Sequence, residues 1–202
     1  MTAERADADG REDGREDGRD DGRDDAAAAA AQMGRPLRGQ SRVASRCALD
    51  LPVVLEVNPD VDGAPFPTLY WLTCPLARAR VSRLESGGAV RGFTARVARE
   101  PELAAACERT AAEYARRREA LLPAESPVRE RLRGGVGGVE GDGVKCLHAH
   151  YAHHRAGGHN PIGAEVARSV EPLDCARPCV RGDARNPSWT EPPTPSPTQG
   201  EA

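Results

Sequence analysis

The hydrophobic pattern of the chain changes at Pro75, and this change constrains the fold more than any other feature of the sequence. Before it, Pro52–Val57 (PVVLEV) and Thr68–Thr73 (TLYWLT) are short runs of β-branched, aromatic and other apolar residues, a pattern typical of strands. The segment between them, Asn58–Pro67 (NPDVDGAPFP), is dense in turn residues and predicts a long hairpin connection. Arg42–Cys47 predicts a third, weaker strand. A small antiparallel sheet therefore comes first in the chain.

After Pro75 the apolar residues recur at the three-to-four-residue spacing of amphipathic helices. The predicted helices run from Pro75 to Gly87–Gly88, over Val90–Arg99, over Pro101–Leu122, over Lys145–Arg155, and from Asn160–Pro161 onwards. Strands that are followed by helices, rather than alternating with them, predict an α+β fold with a helical C-terminal half.

Composition limits the single predicted domain to residues 35–175. Residues 1–34 begin with an acidic repeat, GREDGREDGRDDGRDD, which has no apolar group to bury and predicts a disordered tail. Residues 176–202 are rich in proline and predict a second disordered tail. Residues 1–25 carry a net charge of −6, whereas the whole chain carries −3. The remaining residues therefore have a net charge of +3 and are close to neutral. A near-neutral domain argues against a nucleic-acid binder that relies on neutralising phosphates.

The sequence also bears on location. No run of about 18 apolar residues is present, so we predict no transmembrane helix and no membrane partner. The first residues, MTAERADADG, lack the basic and apolar regions of a secretory signal. We therefore expect a cytoplasmic protein whose six cysteines are reduced thiols.

The segment 143–163, GVKCLHAHYAHHRAGGHNPIG, is the most informative for function, because it contains all five histidines of the chain. On a helix, Cys146, His150 and either His153 or His154 would share one face. Sulfur and imidazole at this spacing can bind one transition-metal ion, typically zinc. The alternative is that the histidines decorate a solvated helix face while Cys146 fills the core.

Cys74 is a second candidate for the same site. It ends the aromatic strand, and Pro75 suits the first turn of the helix that follows. Backbone N–H groups and the helix dipole at such a position favour a thiolate. The metal or thiol hypothesis therefore takes Cys74, Cys146 and His150 as ligands. His148 or His153 would be the fourth ligand. In the alternative, Cys74 is a small buried residue at the end of a strand.

Two other functions remain open. The glycine-rich segment Gly134–Gly143, together with Lys145 and His148, is suited to binding a phosphate or another anion. Alternatively, the protein is a non-catalytic interaction module, in which the two tails recruit partners and the domain acts as a scaffold. The remaining cysteine pair, Cys175 and Cys179, is weak support for zinc without a second cluster. The residues leave open whether the protein is an enzyme.

Two blocks of the sequence carry a family resemblance. PFPTLYWLTCP at 65–75 and the histidine segment at 143–163 resemble the signature blocks of domain of unknown function 501 (DUF501), an uncharacterised bacterial family common in actinobacteria. The resemblance covers residues 35–175 and implies no established activity. It implies site candidates at 68–75 and 145–148. One departure is that Cys47 is followed by ALDLP, where family members often have a second Cys–Gly pair; a metal site that used Cys47 would be built differently here.

Overall fold

The computed structural model describes residues 24–139 and 143–194, in which short strands are followed mainly by helices. The strands are β1 (Ser41–Arg46), β2 (Pro52–Val57), β3 (Asp60–Val61), β4 (Ala64–Pro65), β5 (Tyr70–Leu72), β6 (Val180–Arg181) and β7 (Ala184–Arg185). The helices are α1 (Asp25–Met33), α2 (Pro75–Ser86), α3 (Ala89–Val97), α4 (Pro101–Ala120), α5 (Leu147–Arg155) and α6 (Pro161–Val170). This order confirms the predicted α+β class, with a small antiparallel sheet and a helical C-terminal half.

The main sheet has the strand order β1-β2-β5, and both pairings are antiparallel. All six residues of the middle strand β2 are buried. Leu55 and Val57 form a cluster with Ala29 of α1, whereas Val53 and Val54 belong to the larger core that the later helices share. Because β2 is covered on both faces, its sequence is a continuous apolar run with a single carboxylate rather than an alternating pattern.

The connection between β2 and β5 contains a ribbon, β3–β4, that the turn-rich sequence did not predict. Its tip is Asp62–Gly63, and both residues have positive φ angles, of 56° and 75°. This is the backbone conformation that Asp-Gly favours in two-residue hairpins. The aromatic strand is correspondingly shorter than predicted, because residues 68 and 69 still belong to the connection.

The helices pack against β5 and against one another around a core of fully buried side chains. Tyr114 of α4 is among them, and its hydroxyl oxygen accepts a hydrogen bond of 2.6 Å from the Leu69 backbone N–H just before β5. Other members are Leu76 and Val81 of α2, Leu147 and Tyr151 of α5, and Ile162 of α6. Helix α5 thereby packs against α2, and α6 packs against both α2 and α4.

Two buried arginines connect the helices to irregular segments. Arg118 of α4 donates to the carbonyl oxygens of Pro67 and Gly134, at 3.2 and 2.8 Å. Arg80 of α2 donates to the carbonyl oxygen of Val170, the last residue of α6, and to oxygens of Pro172, Asp174 and Pro193 in the chain after that helix. Most of the acceptors of the two guanidinium groups are carbonyl oxygens that lie outside regular structure.

The described structure extends beyond residues 35–175 at both ends. Helix α1 precedes the predicted domain, and its residues Ala28, Ala29 and Gln32 are buried. The β6–β7 hairpin follows it, and Arg185 of β7 donates to the Gln32 carbonyl oxygen at 2.9 Å. The predicted tails at residues 1–23 and 195–202 lie outside the described residues. Among the described residues, no helix is long and apolar enough to cross a membrane.

Candidate metal centre

Three side chains with metal-binding atoms meet where the end of α2 contacts the start of α5. They are Glu85, Cys146 and His148, and one potential ligand atom from each lies within 4.8 Å of the other two. All three residues are half-buried. Carboxylate oxygen, thiolate sulfur and imidazole nitrogen are all zinc ligands, so this donor set fits Zn²⁺.

The start of α5 explains why these groups lie together. Cys146 is the N-cap residue, with an extended backbone, but its side chain makes no capping hydrogen bond. Instead, Glu85 of α2 accepts a hydrogen bond of 2.6 Å from the Leu147 backbone N–H. A carboxylate is favourable beside the positive end of a helix dipole, so the same contact caps α5 and brings Glu85 to the cluster.

The two ring nitrogens of His148 face different neighbours. Nδ1 lies 3.2 Å from a Glu85 carboxylate oxygen. Nε2 lies 3.3 Å from both the Ser82 hydroxyl oxygen and the Arg78 carbonyl oxygen. Burial acts to lower the pKa of His148, but its hydrogen bond with Cys146 and the Glu85 carboxylate outweigh burial and raise that pKa. The site is therefore electrostatically suited to a positive charge.

Cys74 does not join this cluster, contrary to the metal hypothesis. It is the N-cap residue of α2, as predicted, whereas Glu85 lies in the last turn of the same helix. Eleven residues of α-helix separate the two positions by about 16 Å, which is too far for one ion. Burial also raises the pKa of Cys74 to about 12, so the expectation of a thiolate at this helix start is wrong for the metal-free chain.

His150 and His153 face the protein interior rather than the cluster. His150 Nδ1 lies 3.1 Å from Asn160 Oδ1, and Asn160 Nδ2 lies 3.3 Å from His153 Nδ1. Burial lowers the pKa of both histidines. His150 and His153 lie on the core side of α5, whereas Cys146 precedes the helix as its N-cap residue and lies with His148 instead.

The glycine segment has a packing role in its described part, which excludes residues 140–142. A Cβ at Gly135 would lie 2.5 Å from the Ala111 Cβ of α4, and one at Gly138 would lie 3.0 Å from the Pro67 side chain. These glycines let the segment approach α4 and the β5 connection closely. Lys145 is exposed beside it, and His148 belongs to the metal cluster.

Glu85 is the functional candidate that sequence reasoning missed. The sequence contains a weak signal for it. A carboxylate in the last turn of a helix interacts unfavourably with the negative end of the helix dipole. Such a residue is expected to have a compensating partner elsewhere, which the start of α5 supplies.

The model of a family described as "Protein of unknown function (DUF501)" matches residues 43–168, which include all three members of the cluster. No curated protein and no solved structure matches the chain.

Proposed function

The chain belongs to the DUF501 family of proteins of unknown function, and we propose that this member binds a transition-metal ion, Zn²⁺ in the first place, through Glu85, Cys146 and His148. The observation that carries the proposal is the convergence of one oxygen, one sulfur and one nitrogen donor within 4.8 Å. The three donors come from two helices that are packed together, so the group is held by the fold rather than by one flexible loop.

The surroundings of His148 support a ligand role. Its Nδ1 is on the side of Glu85, while Nε2 is directed at the Arg78 carbonyl oxygen. With Nδ1 as the ligand atom, Nε2–H would donate to that carbonyl oxygen, and this hydrogen bond would fix the tautomer and the ring orientation. This is the usual arrangement around metal-binding histidines.

Three protein ligands are typical of zinc sites that keep a position for water or substrate. In such sites the metal polarises a bound group or lowers the pKa of bound water. The half-buried position of the cluster gives an external molecule access to it. In this chain Glu85 and Cys146 would neutralise the charge of the ion, and Ser82 and Arg78 would position the imidazole.

The cysteines bear on the compartment as well. Cys47, Cys74, Cys146, Cys175 and Cys179 are free thiols. Free thiols are typical of reducing compartments, and they support the proposal that the protein works in the cytoplasm.

The test is metal analysis of the full chain, purified without chelators, by inductively coupled plasma mass spectrometry. The Cys146→Ser/His148→Ala double variant should lose one equivalent of zinc relative to the parent protein. Cys107→Ser and His159→Ala are the matched controls, because neither residue belongs to the cluster, and both should retain the parent's zinc. Unchanged zinc in the double variant would show that Glu85, Cys146 and His148 bind no ion and that Glu85 only caps α5.

A further inference from the structure

A cavity of about 230 Å³ lies between α4, α5, α6 and the glycine-rich segment. Most of its described lining is apolar, and it comprises the side chains of Ala111, Val136, Val139, Val144 and Ile162. An apolar cavity of about 150 Å³ can already hold a benzene molecule. This cavity is therefore large enough for a single substituted ring or for an aliphatic chain of similar size.

The elements around the cavity are attached to one another by hydrogen bonds between distant segments. The Thr110 hydroxyl of α4 donates to the carbonyl oxygen of His159, in the connection between α5 and α6, at 2.9 Å. Arg118, two turns further along α4, donates to the Gly134 carbonyl oxygen at the start of the glycine-rich segment, at 2.8 Å. The cavity is thus a feature of the packed fold and does not depend on a single loop.

One side chain in the lining, His150 of α5, is both polar and buried, with an exposed fraction of 8%. Its Nδ1 lies 3.1 Å from Asn160 Oδ1. That oxygen also accepts a hydrogen bond of 2.8 Å from the Gly163 backbone N–H, which identifies it as the oxygen of the amide. The His150 Nδ1 must therefore be the donor. In the neutral imidazole Nε2 then carries no hydrogen and is an acceptor.

The Nε2 atom of His150 has no hydrogen-bond partner in the part of the chain that the structure describes, since the bond to Asn160 uses Nδ1. His150 borders the cavity and Asn160 lies outside its lining, so the edge of the ring that faces the cavity is the one opposite Nδ1. A buried acceptor without a partner is unfavourable. A molecule in the cavity that donates a hydrogen bond to Nε2 removes this cost.

The charge of the lining indicates which molecules would be accepted. Glu108 of α4 is exposed and belongs to the lining, and it is the only Asp, Glu, Lys or Arg among the described lining residues. Its carboxylate attracts a cationic group and repels an anionic one. The lining therefore offers two acceptors, at His150 and Glu108, beside an apolar wall. This combination suits an amine and disfavours a carboxylate or a phosphate.

We propose that this cavity binds a small organic amine that carries a hydroxyl group at the other end of an apolar body. The hydroxyl donates to His150 Nε2, the ammonium group pairs with the Glu108 carboxylate, and the body packs against the valines and Ile162. Such sites, mainly apolar with a few polar groups that fix the orientation, are typical of small-molecule binding. The site uses none of the three residues of the metal cluster, so it does not depend on the proposed function.

The first test is isothermal titration calorimetry of the full chain with tyramine, a single ring with a hydroxyl group and an amine. Binding to one site should be observed, with the same affinity in the presence of zinc and of a chelator. Phenethylamine, which lacks the hydroxyl, should bind about tenfold more weakly. With 4-hydroxyphenylacetate, which has a carboxylate in place of the amine, no binding should be detectable.

Three results of this titration would overturn the proposal. They are absence of tyramine binding, equal affinities for the three compounds, and tyramine binding that the chelator abolishes. The last result would place the amine at the metal cluster. Loss of zinc binding in the cluster variants, in contrast, bears only on the proposed function.

Variants of the two acceptors identify which end of the probe each one holds. His150→Phe keeps a ring and removes the acceptor, so it should abolish the tenfold difference between tyramine and phenethylamine. Glu108→Gln should weaken the binding of both amines by the same factor. Glu102→Gln is the matched control, because Glu102 is an exposed residue of α4 outside the cavity, and it should bind both amines as the parent does. A tenfold difference that persists in His150→Phe would contradict the role of Nε2.

The second measurement needs no variant. A long-range ¹H–¹⁵N correlation spectrum of the parent protein reports which nitrogen of each imidazole carries the proton. His150 should be the tautomer with hydrogen on Nδ1, and its Nε2 resonance should shift when tyramine is added but not when phenethylamine is added. Hydrogen on Nε2 in the free protein, or an Nε2 resonance that does not respond to saturating tyramine, would overturn the proposal.

Discussion

The imidazole of His153 lies parallel to the phenol ring of Tyr70, with ring centroids 5.5 Å apart and an interplanar angle of 13°. The Tyr114 ring meets the same imidazole edge-on, at 5.1 Å. Burial, together with His150, His154 and Arg117, lowers the pKa of His153 from its ordinary value of 6.5 to about 4. This histidine is therefore a neutral member of the aromatic core at physiological pH.

The first prediction concerns acid stability. In the unfolded chain His153 takes up its proton near pH 6.5, whereas the folded chain takes it up only near pH 4. The unfolded state thus binds more protons at this position, so the contribution of His153 to the free energy of unfolding should fall as the pH is lowered from 6.5 to 4. The contribution of this residue is at most about 3 kcal/mol.

Urea unfolding at pH 7.5 and pH 5 measures this effect. His153→Gln removes the titrating group at similar size and should flatten the pH dependence, although the ring contacts are also lost. His159→Gln is the control, because His159 is exposed and should leave the pH dependence unchanged. An equal pH dependence in the parent and in His153→Gln would contradict the assignment.

The second prediction compares two glycines inside helices. A Cβ at Gly163 of α6 would lie 2.2 Å from the His150 carbonyl oxygen of α5, whereas a Cβ at Gly92 of α3 meets no atom within 4 Å. Gly163→Ala should destabilise the protein by more than about 2 kcal/mol, because the backbone of α5 would have to move. Gly92→Ala should stabilise it by about 0.5–1 kcal/mol, since alanine is the better helix former. Thermal unfolding should show a lower melting temperature for Gly163→Ala and a higher one for Gly92→Ala.

The third prediction separates two roles of Glu85. Glu85→Gln keeps an oxygen that can accept the Leu147 N–H but removes the negative charge, so zinc affinity should fall at least about tenfold, as when a ligand's support is removed. The stability of the metal-free protein should change little. Glu85→Ala should also remove the cap of α5, which should lower the free energy of unfolding by about 1 kcal/mol.

Competition with a chromophoric chelator measures the zinc affinity of each Glu85 variant, and unfolding in the presence of a chelator measures the stability of the metal-free protein. Parent-like zinc affinity in Glu85→Gln would exclude the carboxylate as a ligand.

The fourth prediction concerns Arg80, which is 2% exposed. Arg80→Lys cannot reproduce hydrogen bonds to four separate oxygens, so the free energy of unfolding should decrease by about 2–4 kcal/mol. Hydrogen exchange should increase in the segment after α6, which those bonds hold. Arg83→Lys is the matched control, because Arg83 forms an ion pair with Glu191 at the surface. This substitution should lower the free energy of unfolding by less than about 1 kcal/mol.

The elements with strong local signals could be predicted from the sequence. Pro52–Val57 has the predicted bounds, because a β-branched run between turn residues determines it locally. Helix α2 begins at Pro75 and is followed by Gly87, as the same local rules require. The hairpin tip at Asp62–Gly63 had an equally clear signal that the long turn-rich connection obscured.

The candidate sites could be predicted only in part, because they depend on contacts between distant segments. Periodicity predicts that Cys146 and His150 share one face of a helix. In the structure Cys146 is the N-cap residue before α5, and His150 faces the core. The partner of His148 is Glu85, which is more than sixty residues away in the chain. Cys179 is close to the sheet through Gln32, in a helix that lies within the tail predicted for residues 1–34.

The contact between Arg185 of β7 and the Gln32 carbonyl oxygen of α1 places the first and last described elements side by side. The backbone path through the folded part is therefore nearly a closed loop. A circular permutant, with residue 194 joined to α1 by a linker and the chain reopened at the exposed Asp62–Gly63 turn, would keep Glu85, Cys146 and His148 on one continuous segment.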